Sequence, residues 1–436
     1  MSKTLKDIQE KLDSQQAAVF TADEFKSKLR RGEDVTLDDV DVVTCGTSGV
    51  MSGTTALLHI PVAQPGEFSK AKEVYINGIP AYPGPCPNEL LGSVDVMVYG
   101  TNHSTTIEDY GGGFLFKDLV EGREVEVKVI DVDDNTFTTK VTIDDMPTAR
   151  MIGTRNAFKN YNSFTNPSPK AQKSIFNASP MEGPYNSYSF SGCGEINPLE
   201  NDPQQNVIKE GTKVLLNGAS GVVIDNGTRS TPEKPNLLLT ADMKQMNNYY
   251  LGGFRTGLGP EVFDSVAIPI PVLNEDILNN LKVMNKDISL PVCDIHGRHL
   301  PIDTVDYTVW ENVDYRPTTD PDSCFGCIPC LPEIYCPTKA YKKDKTVDPE
   351  LCFGCGYCAT VCPRGVPSID MGRIEIEADG KTRKIPVTCR QSDKQRALKI
   401  SMELKNRLLD GTFRLEWFFY ILFYYFFLPI FIFRYT

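Results

Sequence analysis

Two cysteine-rich stretches lie close together in the C-terminal third of this 436-residue chain. The first reads CFGCIPC over residues 324–330 and is followed by Cys336-Pro337. The second reads CFGCGYC over residues 352–358 and is followed by Cys362-Pro363. Eight of the thirteen cysteines therefore fall within 39 residues. Cysteines at positions i, i+3 and i+6 of a tight loop direct three thiolates toward one group, and a fourth must come from elsewhere.

This spacing predicts two [4Fe–4S] clusters, because in two-cluster ferredoxins the last cysteine of each run binds the other cluster. One predicted ligand set is Cys324, Cys327, Cys330 and Cys362, and the other is Cys336, Cys352, Cys355 and Cys358. Structural zinc sites, an alternative beside disulfides, use paired Cys-x-x-Cys knuckles rather than triplets followed by Cys-Pro. Five residues separate Cys330 from Cys336, where ferredoxins usually have three, so the second cluster has the less regular spacing.

Composition and charge narrow the class of protein. The 41% hydrophobic and 23% charged residues are typical of a soluble globular protein. A formal net charge of −12 with no basic patch argues against a nucleic-acid partner. The N-terminus, MSKTLKDIQEKLDSQQ, has no apolar signal region, so we expect a cytoplasmic protein. In that compartment, cysteines serve metal binding or redox chemistry more often than disulfides.

Residues 1–302 are predicted to form one large α/β or α+β domain, because short strand patterns alternate with glycine turns. We expect a helix to begin at the capping box of Thr21 and Glu24. The predicted strands are residues 41–44, 73–76, 93–99, 124–130, 212–216, 221–224 and 236–239. The remaining divisions are a linker (303–322), a small α+β ferredoxin-like 2[4Fe–4S] domain (323–375), a C-terminal helical segment (376–412) and an apolar tail (413–436).

The tail contains WFFYILFYYFFLPIFIF over residues 417–433, a run without a charge. Its length is close to the lower limit of a membrane-spanning helix, about 17 residues. One interpretation is a C-terminal membrane anchor, and the other is an accidental extension without a function. We favour the second, because nothing else in the chain predicts membrane contact.

Three cysteines outside the cluster motifs are candidate nucleophiles. Cys45 ends a predicted strand, and the Gly/Ser/Thr turn expected after it would present amides that lower a thiol pKa. Cys86 lies between two prolines, and Cys193 lies between two glycines, where a ligand can approach the backbone. The alternatives are a buried core residue for Cys45, a rigid surface turn for Cys86 and a flexible surface turn for Cys193. The other two are expected to be structural or incidental: Cys293 and Cys389.

Several runs of the N-terminal region carry a family resemblance. They are DVVTCGTSGVMSGTTA (41–56), VYINGIPAYPGPCPNELLGSVD (74–95) and FSGCGEINPLENDP (190–203). They resemble the methanogenesis-marker metalloproteins numbered sixteen. That family is related to the archaeal homocysteine-biosynthesis proteins, which resemble an aspartate-semialdehyde sulfurtransferase. The resemblance covers residues 5–375, including the ferredoxin-like module, and does not extend to the apolar tail.

The resemblance implies sulfur transfer through a cysteine persulfide to a small aldehyde, as in homocysteine biosynthesis. Making a thiol from an aldehyde and sulfide consumes two electrons, which two one-electron clusters would supply. The sulfurtransferase relatives have a Met-Cys-Ser-Ser-Gly-like run where this chain has MSGT at residues 51–54. A second family cysteine has no counterpart after YGGG at residues 110–113. The resemblance therefore does not assign the nucleophile, and three candidates remain: Cys45, Cys86 and Cys193.

Two functions of different classes follow from the sequence. The first is an iron–sulfur redox enzyme of archaeal sulfur metabolism or methanogenesis that uses a small-molecule sulfur source and aldehyde. The second is a non-catalytic electron carrier or assembly factor for a methanogenesis enzyme. Both imply a redox partner protein or another electron donor. In the second, the clusters pass electrons to the partner enzyme, and the acidic balance of the chain favours docking to a basic partner.

Overall fold

The computed structural model describes residues 2–84, 86–159, 161–298 and 300–415. The predicted mixture of helices and strands is confirmed there. The helices are α1 (Leu5–Asp13), α2 (Ala22–Arg30), α3 (Gly112–Val120), α4 (Pro198–Asn201), α5 (Glu275–Asn280), α6 (Leu331–Tyr335), α7 (Tyr357–Val361) and α8 (Lys394–Leu409).

Strands make up most of the regular structure. They are β1 (Val19–Thr21), β2 (Val42–Val50), β3 (Thr54–Pro61), β4 (Ala71–Ile76), β5 (Ile79–Pro83), β6 (Ser93–Tyr99), β7 (Val125–Asp131), β8 (Thr136–Val141), β9 (Thr148–Asn156), β10 (Ser163–Thr165), β11 (Tyr188–Phe190), β12 (Lys213–Leu216), β13 (Ala219–Asn226), β14 (Leu237–Asp242), β15 (Gly252–Thr256), β16 (Gly259–Pro271), β17 (Ser289–Asp294), β18 (Pro301–Asp306), β19 (Thr318–Thr319), β20 (Pro367–Ser368), β21 (Arg373–Ala378) and β22 (Lys381–Arg390).

Within the described residues, one 14-stranded sheet runs in the order β1-β2-β16-β12-β13-β14-β9-β3-β6-β5-β4-β7-β8, with β15 paired to β16. Apart from β1 with β2, its neighbouring strands are antiparallel. This pairing fits the α+β alternative better than α/β, because parallel strands need long crossover connections. Each of the seven predicted strands overlaps a strand of this sheet.

Strands β2 and β16 form the centre of the fold, paired from Val42 with Pro271 to Val50 with Phe263. Nearly every residue of both strands is buried, because helix α8 packs against them. A Cβ atom at Gly46 would overlap the carbonyl of Ala397 in α8. The expected turn at residues 45–49 was therefore wrong: these residues continue β2, and Gly46 admits the helix at close approach.

A six-stranded sheet runs in the order β18-β17-β10-β11-β22-β21. Its strands come from residues 163–190, 289–306 and 373–390. The sheet therefore joins parts of the chain that the sequence analysis assigned to the N-terminal domain, the linker, the cysteine-rich domain and the C-terminal segment. The cysteine-rich stretch itself contains α6 and α7, and β19 and β20 pair at its edge.

The predictions about the start of α2 and about the apolar C-terminal run have different outcomes. The capping box at α2 is confirmed: the amide of Glu24 donates to Thr21 Oγ1 at 3.2 Å, and the amide of Thr21 donates to Glu24 Oε2 at 2.7 Å. The apolar run 417–433 lies outside the described residues. None of the helices in the described part of the chain combines the length and apolar composition that a membrane span requires.

A buried charge network fixes helix α8 to the rest of the protein. The carboxylate of Asp393 accepts hydrogen bonds from Arg316 Nη2 at 2.7 Å and from the guanidinium of Arg396. Arg396 also donates to the carbonyls of Tyr249, Glu350 and Cys352, each at 2.6 Å. The side chains of Asp393 and Arg396 are at most 1% exposed. The network thus links α8, the large sheet and the cysteine-rich stretch.

Replacing Arg396 by Met tests this role. The variant leaves the Asp393 carboxylate with Arg316 as its remaining guanidinium partner and three carbonyls, two of them in buried hydrogen bonds, without their donor. We expect the free energy of unfolding, measured by urea denaturation, to fall by about 3–5 kcal/mol. The control is Arg31→Met, because Arg31 is an exposed arginine paired with Glu33, and such pairs contribute about 0–1 kcal/mol. Equal losses in the two variants would contradict the assigned role.

Candidate functional site

The two predicted ligand sets line two separate cavities. Four cysteines line one cavity of about 230 Å³ and are called the outer thiol set: Cys324, Cys327, Cys330 and Cys362. Four others line a tighter cavity of about 20 Å³ and are called the inner thiol set: Cys336, Cys352, Cys355 and Cys358. In each set the last cysteine of one run joins the first three of the other run. This is the exchange that the spacing predicted.

Short helices bring the exchanged cysteines into position. Helix α6 fills the five-residue gap between Cys330 and Cys336, and α7 leads from Cys358 toward Cys362. Backbone amides point at sulfur: Ala340 N lies 3.1 Å from Cys336 Sγ, and Gly326 N lies 3.4 Å from Cys324 Sγ. The longer gap is thus accommodated by α6 rather than by displacing Cys336 from its set.

Thiol donors with amide hydrogen bonds have the chemistry that an iron–sulfur cluster requires. In the described part of the chain, no group of three or more His, Cys, Asp or Glu side chains is arranged to hold a metal ion. A four-iron cluster spreads its thiolates over four metal atoms, which places them farther apart than the ligands of one ion. The donor sets therefore fit such a cluster in ligand type and number.

The two sets differ in their surroundings. Next to the outer set, Ile328 is 97% exposed, and Cys327 is exposed as well. The inner set is buried against the large sheet, where the ring of Phe353 lies 4.9 Å from that of Phe254. Cys389, which sequence reasoning left as structural or incidental, is buried in the same cluster as Cys355. One set thus faces solvent and the other faces the protein core.

A second feature is a cavity of about 630 Å³ between the two sheets, which we call the cation cavity. Its charged lining residues, among those the structure describes, are all basic: Arg155, Lys159, Arg229, Lys234 and Arg298. Hydroxyl and amide groups complete the polar lining: Ser52, Tyr161, Asn162, Ser191, Thr231 and Gln391. In a protein of net charge −12, this is a local concentration of positive charge.

Arg155 is the best-defined of these cations. Its guanidinium lies 4.6 Å from the ring centre of Phe158, which holds it by a cation–π contact. Its Nε is buried and has no hydrogen-bond partner among the described residues. Burial lowers the pKa of Arg155, and the nearby charges of Arg229 and Arg298 lower it further. An anion in the cavity would satisfy the free Nε and relieve this repulsion.

Ser52 lines the cavity in the turn between β2 and β3. Its hydroxyl lies close to the carboxyl group of Glu261, which is buried and whose Oε2 has no hydrogen-bond partner among the described residues. Burial raises the pKa of Glu261, and the nearby hydroxyl of Ser52 opposes the shift. Ser52 and Glu261 therefore place a hydroxyl and a carboxyl group side by side at the cavity wall.

The three candidate nucleophiles lie outside the lining. Cys45 is inside β2, and burial raises its pKa to about 12, contrary to the lowered pKa expected of a turn. Cys86 is exposed. Cys193 is fully buried rather than in a flexible turn, 3.6 Å from the carbonyl of Ser48, and burial raises its pKa to about 11. Of the three, Cys193 is nearest in sequence to a lining residue, Ser191.

The cation cavity and the inner thiol set share a wall. Val50 and Gln391 line the cavity, and the amide of Val50 donates to the carbonyl of Gln391 at 3.0 Å. On its other side Val50 packs against the apolar cluster that contains Cys355 and Cys389. Sequence reasoning missed this cavity, because its cations are dispersed over residues 155–298 without a motif.

Comparisons with known proteins show the family of this chain. The family described as "Homocysteine biosynthesis enzyme, sulfur-incorporation" matches residues 17–415. An uncharacterized protein of Methanothermobacter thermautotrophicus is 50% identical, over 95% of this chain and 94% of the relative. An uncharacterized protein of Methanocaldococcus jannaschii is 45% identical, over 91% of this chain and 98% of the relative.

A third relative has a stated activity. The L-aspartate semialdehyde sulfurtransferase of Methanocaldococcus jannaschii is 33% identical, over 67% of this chain and 58% of the relative. No solved structure matches the chain. Since the family match covers most of the chain, this protein belongs to the family of homocysteine biosynthesis enzymes that incorporate sulfur.

Proposed function

We propose that this protein is an enzyme of reductive sulfur transfer that converts a small aldehyde and sulfide into a thiol. Electrons would come from two [4Fe–4S] clusters held by the outer and inner thiol sets. The observation that carries the proposal is the shared wall between the cation cavity and the inner thiol set. The relative that acts on aspartate semialdehyde supports the same reaction class.

The reaction balances with two electrons. Addition of hydrogen sulfide to the aldehyde carbon forms a C–S bond and a hydroxyl group on the same carbon. Loss of that hydroxyl as water, with uptake of two protons and two electrons, leaves the thiol. The net change is an aldehyde, hydrogen sulfide, two protons and two electrons converted to a thiol and water.

The clusters, when bound, would supply these electrons one at a time. The outer thiol set is the more exposed, so it is the natural contact for a redox partner protein. The inner thiol set lies against the cavity wall, so it is the natural exit toward the substrate. This order gives the two sets different roles although their donor types are the same.

The chain's own residues bind the substrate and move protons. The basic residues of the cation cavity would hold an acidic group of the aldehyde through charge-assisted hydrogen bonds. The hydroxyl of Ser52, which lies close to the carboxyl group of Glu261, would donate a proton to the departing oxygen. Because no described cysteine lines the cavity and Cys193 is a protonated thiol, we propose free sulfide as the sulfur donor.

The cluster assignment is tested by iron and labile-sulfide analysis of anaerobically reconstituted protein. We expect about eight of each per chain, as two four-iron clusters require. Cys327→Ser and Cys358→Ser should each lose about half of the iron, because each removes one ligand from a different set. Cys86→Ser is the control and should retain all of it. Equal iron in all four proteins would contradict the assignment.

The sulfur donor is tested by turnover of small aldehydes with sulfide and a chemical reductant. Cys45→Ser, Cys86→Ser and Cys193→Ser should retain most of the wild-type rate. Ser52→Ala should lower kcat by about 10²–10⁴-fold, because it removes the proposed proton donor to the departing oxygen.

Two outcomes would revise this proposal. Loss of turnover in a folded Cys193→Ser variant with full iron content would instead indicate a persulfide on Cys193. Wild-type protein that carries both clusters but turns over no aldehyde would favour the non-catalytic electron carrier or assembly factor.

A further inference from the structure

The charge distribution of the cation cavity narrows the choice of substrate further than the proposed reaction does. Five basic side chains line it, and no aspartate or glutamate does so among the described residues. The carboxyl group of Glu261 lies close to the lining residue Ser52, but Glu261 is buried and is not part of the lining. The cavity therefore offers many partners to an anion and only neutral acceptors to a cation.

The position of Arg155 adds an independent argument. Its Nε is a buried donor without a hydrogen-bond partner, which is costly unless a ligand supplies an acceptor. The cation–π contact with Phe158 holds the guanidinium at the cavity before a ligand arrives. A planar or tetrahedral oxyanion matches the fork of an arginine.

An α-amino acid would meet an unfavourable environment here. Its ammonium group would lose water and find only hydroxyl or amide oxygens from residues such as Ser191 and Gln391. At the same time five neighbouring cations would repel it. Repulsion of one substrate class, together with attraction of another, is how sites achieve specificity.

We propose that the cation cavity selects an aldehyde that bears an acidic oxyanion and no ammonium group. This inference rests on the proposed function and names the substrate class of its site. It separates this protein from the relative that acts on aspartate semialdehyde, which is an amino acid.

Two aldehydes form a matched pair for the test. Succinic semialdehyde and aspartate semialdehyde have the same carbon chain, aldehyde and carboxylate, and they differ only in the ammonium group. With reconstituted protein, sulfide and a chemical reductant, kcat/KM for succinic semialdehyde should exceed that for aspartate semialdehyde by about tenfold or more. An equal or reversed preference would overturn the inference.

Two variants locate the effect. Arg155→Gln should lower kcat/KM for succinic semialdehyde by roughly tenfold to a hundredfold. Lys234→Gln should also lower kcat/KM for succinic semialdehyde. Because Lys234 is exposed, this variant carries no risk to folding. The control is Arg31→Gln, which removes an exposed charge outside the cavity and should leave kcat/KM unchanged. An effect of Arg31→Gln as large as that of the cavity variants would count against a local site.

A binding measurement separates this inference from the proposed function. Succinate and aspartate are unreactive and again differ only in the ammonium group, so titration calorimetry compares them without turnover. Tighter binding of succinate, lost in Arg155→Gln, supports the inference even if neither aldehyde reacts, in which case the proposed function fails alone. Equal binding of the two, or binding of neither, overturns the inference.

Discussion

The carboxylate of Asp393 is the point at which the parts of this protein meet. It accepts hydrogen bonds from Arg316 and Arg396 and caps helix α8 through the amide of Arg396. Its own amide donates to the carbonyl of Ser48 in β2. A buried charge is tolerated only when it is paired and hydrogen-bonded, so this network constrains where α8, β2 and the cysteine-rich stretch can lie.

That constraint also positions the candidate site. Residues 389–392 include the last two residues of strand β22 and run, just before α8, from the neighbourhood of Cys355 to the wall of the cation cavity. Arg390 donates its amide to the carbonyl of Cys355 at 2.9 Å, and Gln391 lines the cavity. The amide of Gly192, beside Cys193, donates to Ser392 Oγ at 2.7 Å. One short segment therefore connects the inner thiol set, the cavity and the buried Cys193.

Glycines have two different structural roles in this protein. Between the cysteines of the two runs, Gly326 and Gly354 adopt positive φ angles of 71°, as tight loops around a ligand require. In β2, Gly46 has an extended backbone and serves the close packing of α8 instead. The same residue type thus has two structural causes, and only the tertiary contact distinguishes them.

The sequence by itself predicted how the eight clustered cysteines divide into the outer and inner thiol sets, because each run of three has a local spacing and two-cluster ferredoxins exchange the fourth cysteine between runs. It also predicted seven strands of the large sheet, since alternation of apolar residues is read directly along the chain. Only the tertiary structure decided that Cys45 is inaccessible and that five cations converge on one cavity. Arg155, Arg229 and Arg298 are far apart in the chain, so no spacing rule reveals that they meet.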